Sequence, residues 1–276
     1  MMEMKVSDNQ DFEQDYEYVL EMSNVSKSFS VKENWLGKII QVQHVLKDIS
    51  LQIRRGEILG LVGESGCGKT TLGKVIAGLY SLDAGEIKFC GEDITHRKKG
   101  DLRRLSTKIQ MVFQDPYSSL TPHRTIEDII KEPLWIHHIC DKKQMPKEID
   151  RLLEQVGLSS KCKKDYPYQL SGGQRQRVGI ARCLALQPSL MICDEPVSAL
   201  DVSVQAQVLN LLLDLKDQYH FSCLFIAHGM NVIHHISDRV AVMNDGQIIE
   251  INEKQQLFRN PKHPYTKYLL SQLLPL

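Results

Sequence analysis

The chain has 276 residues, 34 basic and 34 acidic side chains, a formal net charge of zero, 42% apolar residues and seven cysteines. That length is large for one α/β domain and small for two independent ones, and the composition allows a sizeable buried core. Balanced charge without a basic stretch interleaved with aromatics argues against a nucleic-acid partner. No apolar run approaches the ~20 residues that span a bilayer, and cysteines without a Cys-x-x-Cys pair read as reduced core thiols.

Residues 1–15 are polar and acidic and read as a disordered tail without an apolar signal segment, as expected of a cytosolic chain. Alternating apolar residues over 16–56 predict an antiparallel strand layer, with 32–38 as a hairpin loop. The run Ile58-Leu59-Gly60-Leu61-Val62 predicts a buried strand, and residues 71–78 the helix after it. Between them Gly63-Glu64-Ser65-Gly66-Cys67-Gly68-Lys69-Thr70, with Thr71 following, fits the phosphate-binding loop in full. Its glycines let successive N–H groups wrap an anion at a helix N-terminus. Lys69 would pair with the β/γ oxygens of a nucleotide, and Thr70 would give its hydroxyl to Mg²⁺. Cys67, beside Lys69 and a helix start, is expected to favour its thiolate.

Residues 85–91 predict a short hairpin strand, and Met111-Val112-Phe113-Gln114 a strand-like stretch before a turn rich in Pro, Ser and Tyr. The pattern from there to Leu170 turns helical and more polar. Leu170-Ser171-Gly172-Gly173-Gln174 then opens a helix over 174–186. Ser171 and the N–H groups of Gly172 and Gly173 make a second positive helix start, which needs a phosphate other than the one in the first loop. A partner subunit would supply it. Leu190-Met191-Ile192-Cys193-Asp194-Glu195 predicts a core strand with two carboxylates at its C-terminal end, where such sheets bind ligands. Asp194 is then the Mg²⁺-side carboxylate and Glu195 the candidate base or water-positioner. Strands are also expected over 222–227 and 239–243. His228, read alone, is of a kind more often found as a satisfied core or surface histidine. The pairs His137-His138 and His234-His235 lack ligand partners at matched spacing and read as solvated helix faces.

Taken together these motifs resemble the ABC-type ATPases, whose two nucleotide domains close head to tail over two shared ATP molecules. The resemblance implies an α/β fold: a P-loop NTPase (RecA-like) core with an N-terminal antiparallel β layer and an inserted helical subdomain. It makes Gln114 the glutamine that touches Mg²⁺ or the attacking water, His228 the switch histidine at the γ-phosphate, and Phe29 the aromatic that stacks on adenine. Ser198-Ala199-Leu200-Asp201 resembles the dimer-contact loop. Gly229 departs from the acidic residue usual after the histidine. The absence of an Asn-Lys-x-Asp motif favours ATP over GTP.

The resemblance runs from about Tyr18 to the C-terminus and narrows to the ATP-binding subunits of peptide, dipeptide and nickel importers. It does so on residues 62–69, 112–120 and 193–203 and on the tail Asn260-Pro261-Lys262-His263-Pro264-Tyr265-Thr266. The implied division is a nucleotide core with its β layer over 16–114 and 178–250, a helical subdomain over 115–177, and a C-terminal tail over 251–276. The implied partners are two transmembrane permease subunits, a second ATPase subunit and, indirectly, an extracytoplasmic solute-binding protein, with the chain on the cytoplasmic face of the membrane. Import of nickel or a metal chelate is the alternative to peptide. A soluble ATPase of this type acting on ribosomes or DNA, or a small-molecule kinase, fits the motifs less well.

Overall fold

The computed structural model describes residues 16–33, 39–97 and 99–272. The expected N-terminal tail and residues 34–38 of the expected hairpin loop lie outside them. The first two strands, β1 (Tyr18–Glu33) and β2 (Ile39–Arg54), are long, antiparallel and broken by several register shifts. After β3 (Ile58–Val62) and α1 (Lys69–Ile76) come β4 (Ala84–Phe89) and β5 (Glu92–Asp93), which complete a four-stranded sheet in the order β2-β1-β4-β5. The predicted β layer is this sheet.

A helix α2 (Lys99–Lys108) leads into β6 (Ile109–Val112), followed by α3 (Pro116–Ser119), α4 (Ile126–Ile136), α5 (Met145–Gln155) and two short 3₁₀ turns. Then α6 (Gly172–Leu184), β7 (Leu190–Asp194), α7 (Val202–Tyr219), β8 (Ser222–Ala227), α8 (Met230–Ile236), β9 (Arg239–Asn244) and β10 (Gln247–Glu253) complete a six-stranded sheet. Its order is β10-β9-β3-β8-β7-β6, parallel from β9 to β6 with β10 antiparallel at one edge. The chain beyond 253 forms α9 (Lys254–Arg259) and α10 (Pro264–Ser271), which fold back with Leu257 and Leu269 buried.

The central strands are buried on both faces, which is why they read as continuous apolar runs rather than alternating ones. Leu59, Leu61, Ile192, Leu224 and Ile226 face the β layer and α1, while Val62, Cys193, Phe225 and Val242 face the helices on the other side. That second core also takes in Ile129 and Leu134 of α4 and Leu152 of α5. The helices between β6 and α6 therefore share a hydrophobic core with the sheet. Gly73 keeps α1 close: a methyl there would lie 3.2 Å from Ile192 and Ile226 side chains.

Candidate functional site

The loop after β3 packs so tightly that its glycines are sterically required. A Cβ at Gly63 would sit 2.1 Å from the Met243 carbonyl oxygen, and one at Gly68, where φ is +111°, 2.8 Å from that of Val45. With the loop drawn in, Lys69 is buried and its Nζ donates to the carbonyls of Gly63 and Glu64 at 2.7 and 2.8 Å. The helix that follows starts at Lys69, two residues before the expected position, so that Gly68 is its N-cap.

Parallel pairing of β7 with β8 and of β8 with β3 brings Asp194 beside this loop. The Thr70 hydroxyl donates to Asp194 Oδ1 at 3.0 Å. Burial pushes the Asp194 carboxyl above its ordinary range, opposed by the Thr70 hydrogen bond and reinforced by the charge of Glu195. Glu195 has a left-handed backbone, with φ +50°, a conformation that costs about 1–3 kcal/mol in a non-glycine residue. Its N–H is anchored on the Ile226 carbonyl at 3.0 Å. The carboxylate accepts from Gln114 Nε2 at 2.7 Å, and His228 Nε2 stands 2.5 Å from its other oxygen. Glu195 is 5% exposed, and His228, on the far side of the contact, is 42% exposed.

A cleft of about 200 Å³ is lined by Ser65, Gly66, Gly68, Lys69, Thr70, Thr71, Gln114, Glu195 and His228, and by Val45 of β2. Val45 was not anticipated. It stands half-buried on β2 of the first sheet, in a stretch of sequence without a motif, and only the fold brings it there. The oxygen donors of Thr70, Asp194 and Gln114 suit a hard cation such as Mg²⁺.

Expected residues at three places sit differently. Cys67 lies in the loop, but burial raises its thiol pKa and outweighs Lys69, whose Nζ is 3.8 Å from Sγ, so the expected thiolate preference is reversed. Phe29 does not line the cleft; it pairs with Gln43 across the sheet and packs edge-on against Tyr80 at 5.2 Å. Ser171, Gly172, Gly173 and Gln174 are also not part of the cleft lining. Ser171 caps α6, accepting from the Gln174 N–H at 3.3 Å, while the Gln174 side chain accepts from the Ser171 N–H at 2.9 Å. A methyl on Gly173 would lie 2.5 Å from Val204, and one on Gly172 3.2 Å from Leu200, so this helix start packs on the first turn of α7 and the loop before it. Ser171 and Gln174 are exposed, Gly172 is half-buried and Gly173 buried, and Val202 at the start of α7 is 81% exposed.

His137 and His138 lie in the turn after α4 rather than on a helix, with φ +53° at His138. His234 packs on the Phe258 ring and His235 meets Asn210 Oδ1 at 3.0 Å. Among the described residues no cluster of His, Cys, Asp and Glu is arranged to hold a metal ion by itself, and no helix is long and apolar enough to cross a membrane.

A family model described as ABC transporter matches residues 46–198. The oligopeptide transport ATP-binding protein AppF of Bacillus subtilis (strain 168) is 45% identical over 256 residues, covering 92% of this chain and 78% of that protein. OppF of the same organism, also an oligopeptide transport ATP-binding protein, is 50% identical over 226 residues, 81% of this chain and 74% of that one. The glutathione import ATP-binding protein GsiA of Escherichia coli (strain K12) is 46% identical over 93% of this chain, which spans 41% of that longer protein. Among solved structures, a dimeric ATP-binding cassette in a post-hydrolysis state bound to ADP and Pi superposes with a TM-score of 0.76 at 26% identity, covering 85% of this chain and 98% of that one.

Proposed function

The chain belongs to the ABC transporter family, and from that premise we propose that it is the ATP-hydrolysing subunit that energises import of short peptides through membrane permease partners. It is an ATPase coupled to transport, with a mixed α/β cassette fold of the kind that dimerises. Peptide is the substrate class favoured, since the relatives are named for oligopeptides and glutathione.

One observation carries the catalytic reading: Gln114 and His228 converge on the two oxygens of Glu195 at 2.7 and 2.5 Å, at the mouth of the phosphate loop. A carboxylate held there accepts the proton of a water in line with a terminal phosphate. Gln114 orients that water, and His228 gives the γ-phosphate a hydrogen-bond donor. The loop N–H groups, with Lys69, hold the triphosphate, and Phe29, on β1 outside the phosphate cleft, stacks on the base at the other end of the nucleotide. Thr70, Asp194 and Gln114 would hold Mg²⁺, which supplies charge neutralisation on the phosphate oxygens.

Ser171, Gly172, Gly173 and Gln174 serve the partner copy's nucleotide, as the exposure of Ser171 and Gln174 and the place of all four outside this chain's own cleft support. Two copies, or this chain and a homologous one, then close head to tail over two ATP molecules, and loss of the γ-phosphate reopens them. Two permease subunits and an extracytoplasmic solute-binding protein complete the assembly at the cytoplasmic face of the membrane. Reconstitution with the permease pair tests this: ATP hydrolysis should rise when binding protein loaded with peptide is added. Stimulation by a nickel chelate and not by any peptide would overturn the substrate assignment.

A further inference from the structure

The tail motif around Tyr265 has no part in the chemistry above, yet it reaches the phosphate loop. Glu250 of β10 accepts from the backbone N–H groups of Lys262 and His263 at 2.9 and 3.0 Å, which fixes the turn before α10. His263 Nδ1 then accepts from the Tyr265 N–H at 3.1 Å, capping the helix, with Pro264 at its first position. So held, the Tyr265 hydroxyl accepts from the Glu64 N–H at 3.1 Å. That N–H and the Gly63 carbonyl belong to one peptide group. Its carbonyl face is held by Lys69 Nζ at 2.7 Å, and its N–H face by Tyr265. A rotation of this peptide would break both bonds, and it would displace the lysine that must meet the phosphates.

We infer that Tyr265 is a positioning residue for nucleotide binding: by holding the Gly63–Glu64 peptide it sets the orientation of the loop that places Lys69. This rests on the nucleotide-binding reading of the loop. The ring packs against the sheet-and-helix core, so phenylalanine keeps the packing and removes only the acceptor. None of Gln114, Glu195 and His228 has a hydrogen bond to Tyr265.

The test is Tyr265→Phe in the assembled transporter. The KM for ATP is expected to rise about two- to ten-fold, the range one neutral hydrogen bond is worth, with kcat unchanged. Amide hydrogen exchange at Glu64 should quicken in the same variant. Glu250→Gln, which loosens the turn, should move KM in the same direction. A Tyr265→Phe protein with unchanged KM and unchanged exchange at Glu64 would overturn the proposal, and so would a lowered melting temperature as the sole effect. Lys69→Ala separates the two levels: if it still binds ATP as the parent does, the loop reading fails, whereas if it loses ATP and Tyr265→Phe changes nothing, the positioning role alone fails.

Discussion

Glu195→Gln is expected to leave the fold and ATP binding intact while lowering turnover by about 10²- to 10⁴-fold, the usual contribution of a general base and roughly 3–5 kcal/mol of barrier. The carboxylate has two polar neighbours, Gln114 Nε2 at 2.7 Å and His228 Nε2 at 2.5 Å. Glutamine satisfies both. Its carbonyl oxygen accepts from Gln114, and its amide N–H donates to His228 Nε2 in the tautomer protonated at Nδ1. The left-handed backbone at this residue, φ +50°, is the same for either side chain, so the substitution adds no strain. What disappears is a group able to take up a proton. Phosphate release measured in single turnover reads the chemical step, and gel filtration with ATP and Mg²⁺ reads the closed dimer that should accumulate. Phosphate release at the parental rate would remove Glu195 from the role of base.

Ser171→Arg should leave ATP binding to this chain's own loop within about two-fold and abolish cooperative turnover, because the added bulk lies at an exposed position and not in the cleft; equal loss of both in a binding titration and a turnover assay would count against a two-subunit site. Asp194→Asn should raise the melting temperature of the nucleotide-free protein at neutral pH. The sign follows from the raised pKa of Asp194: the ionised form is the one folding disfavours, so stability falls as pH rises through the folded-state pKa, and the gap between variant and parent should close in acid. Gly63→Ala should cost more than 2 kcal/mol in denaturant unfolding, since its Cβ would lie 2.1 Å from a backbone oxygen. Gly66→Ala, at φ +81° in open space, should cost only the left-handed strain of about 1–2 kcal/mol.

Much of the site was legible because its chemistry is carried by contiguous residues. The phosphate loop and the Asp194-Glu195 pair stand out through spacing along one strand-to-helix turn or strand end, and Ser171 stands out as a helix cap. The strands Ile58–Val62, Leu190–Asp194 and Ser222–Ala227 were legible for a related reason: burial on both faces removes every polar interruption. Contributions from across the fold were not. Val45 reaches the cleft through a sheet remote from the loop in sequence, and Tyr265 reaches Glu64 across 201 positions. Cys67 shows a different limit, because the helix start and Lys69 are visible in the sequence while the desolvation that outweighs them exists only after packing.

The position of β3 in its sheet bears on how the protein is made. Both of its neighbours, β8 and β9, are encoded after residue 221, and the loop it carries is tied to still later residues, through the Gly246 N–H on the Cys67 carbonyl at 3.0 Å and through Tyr265. At about 5–20 residues per second, translation leaves this apolar strand without its partners for roughly 10–40 s after it emerges. For that interval both of its backbone edges are open to other chains. Sequence changes that weaken Ser222–Ala227 or Arg239–Asn244 should therefore appear first as insoluble protein during expression, with normal ATP affinity in the fraction that survives.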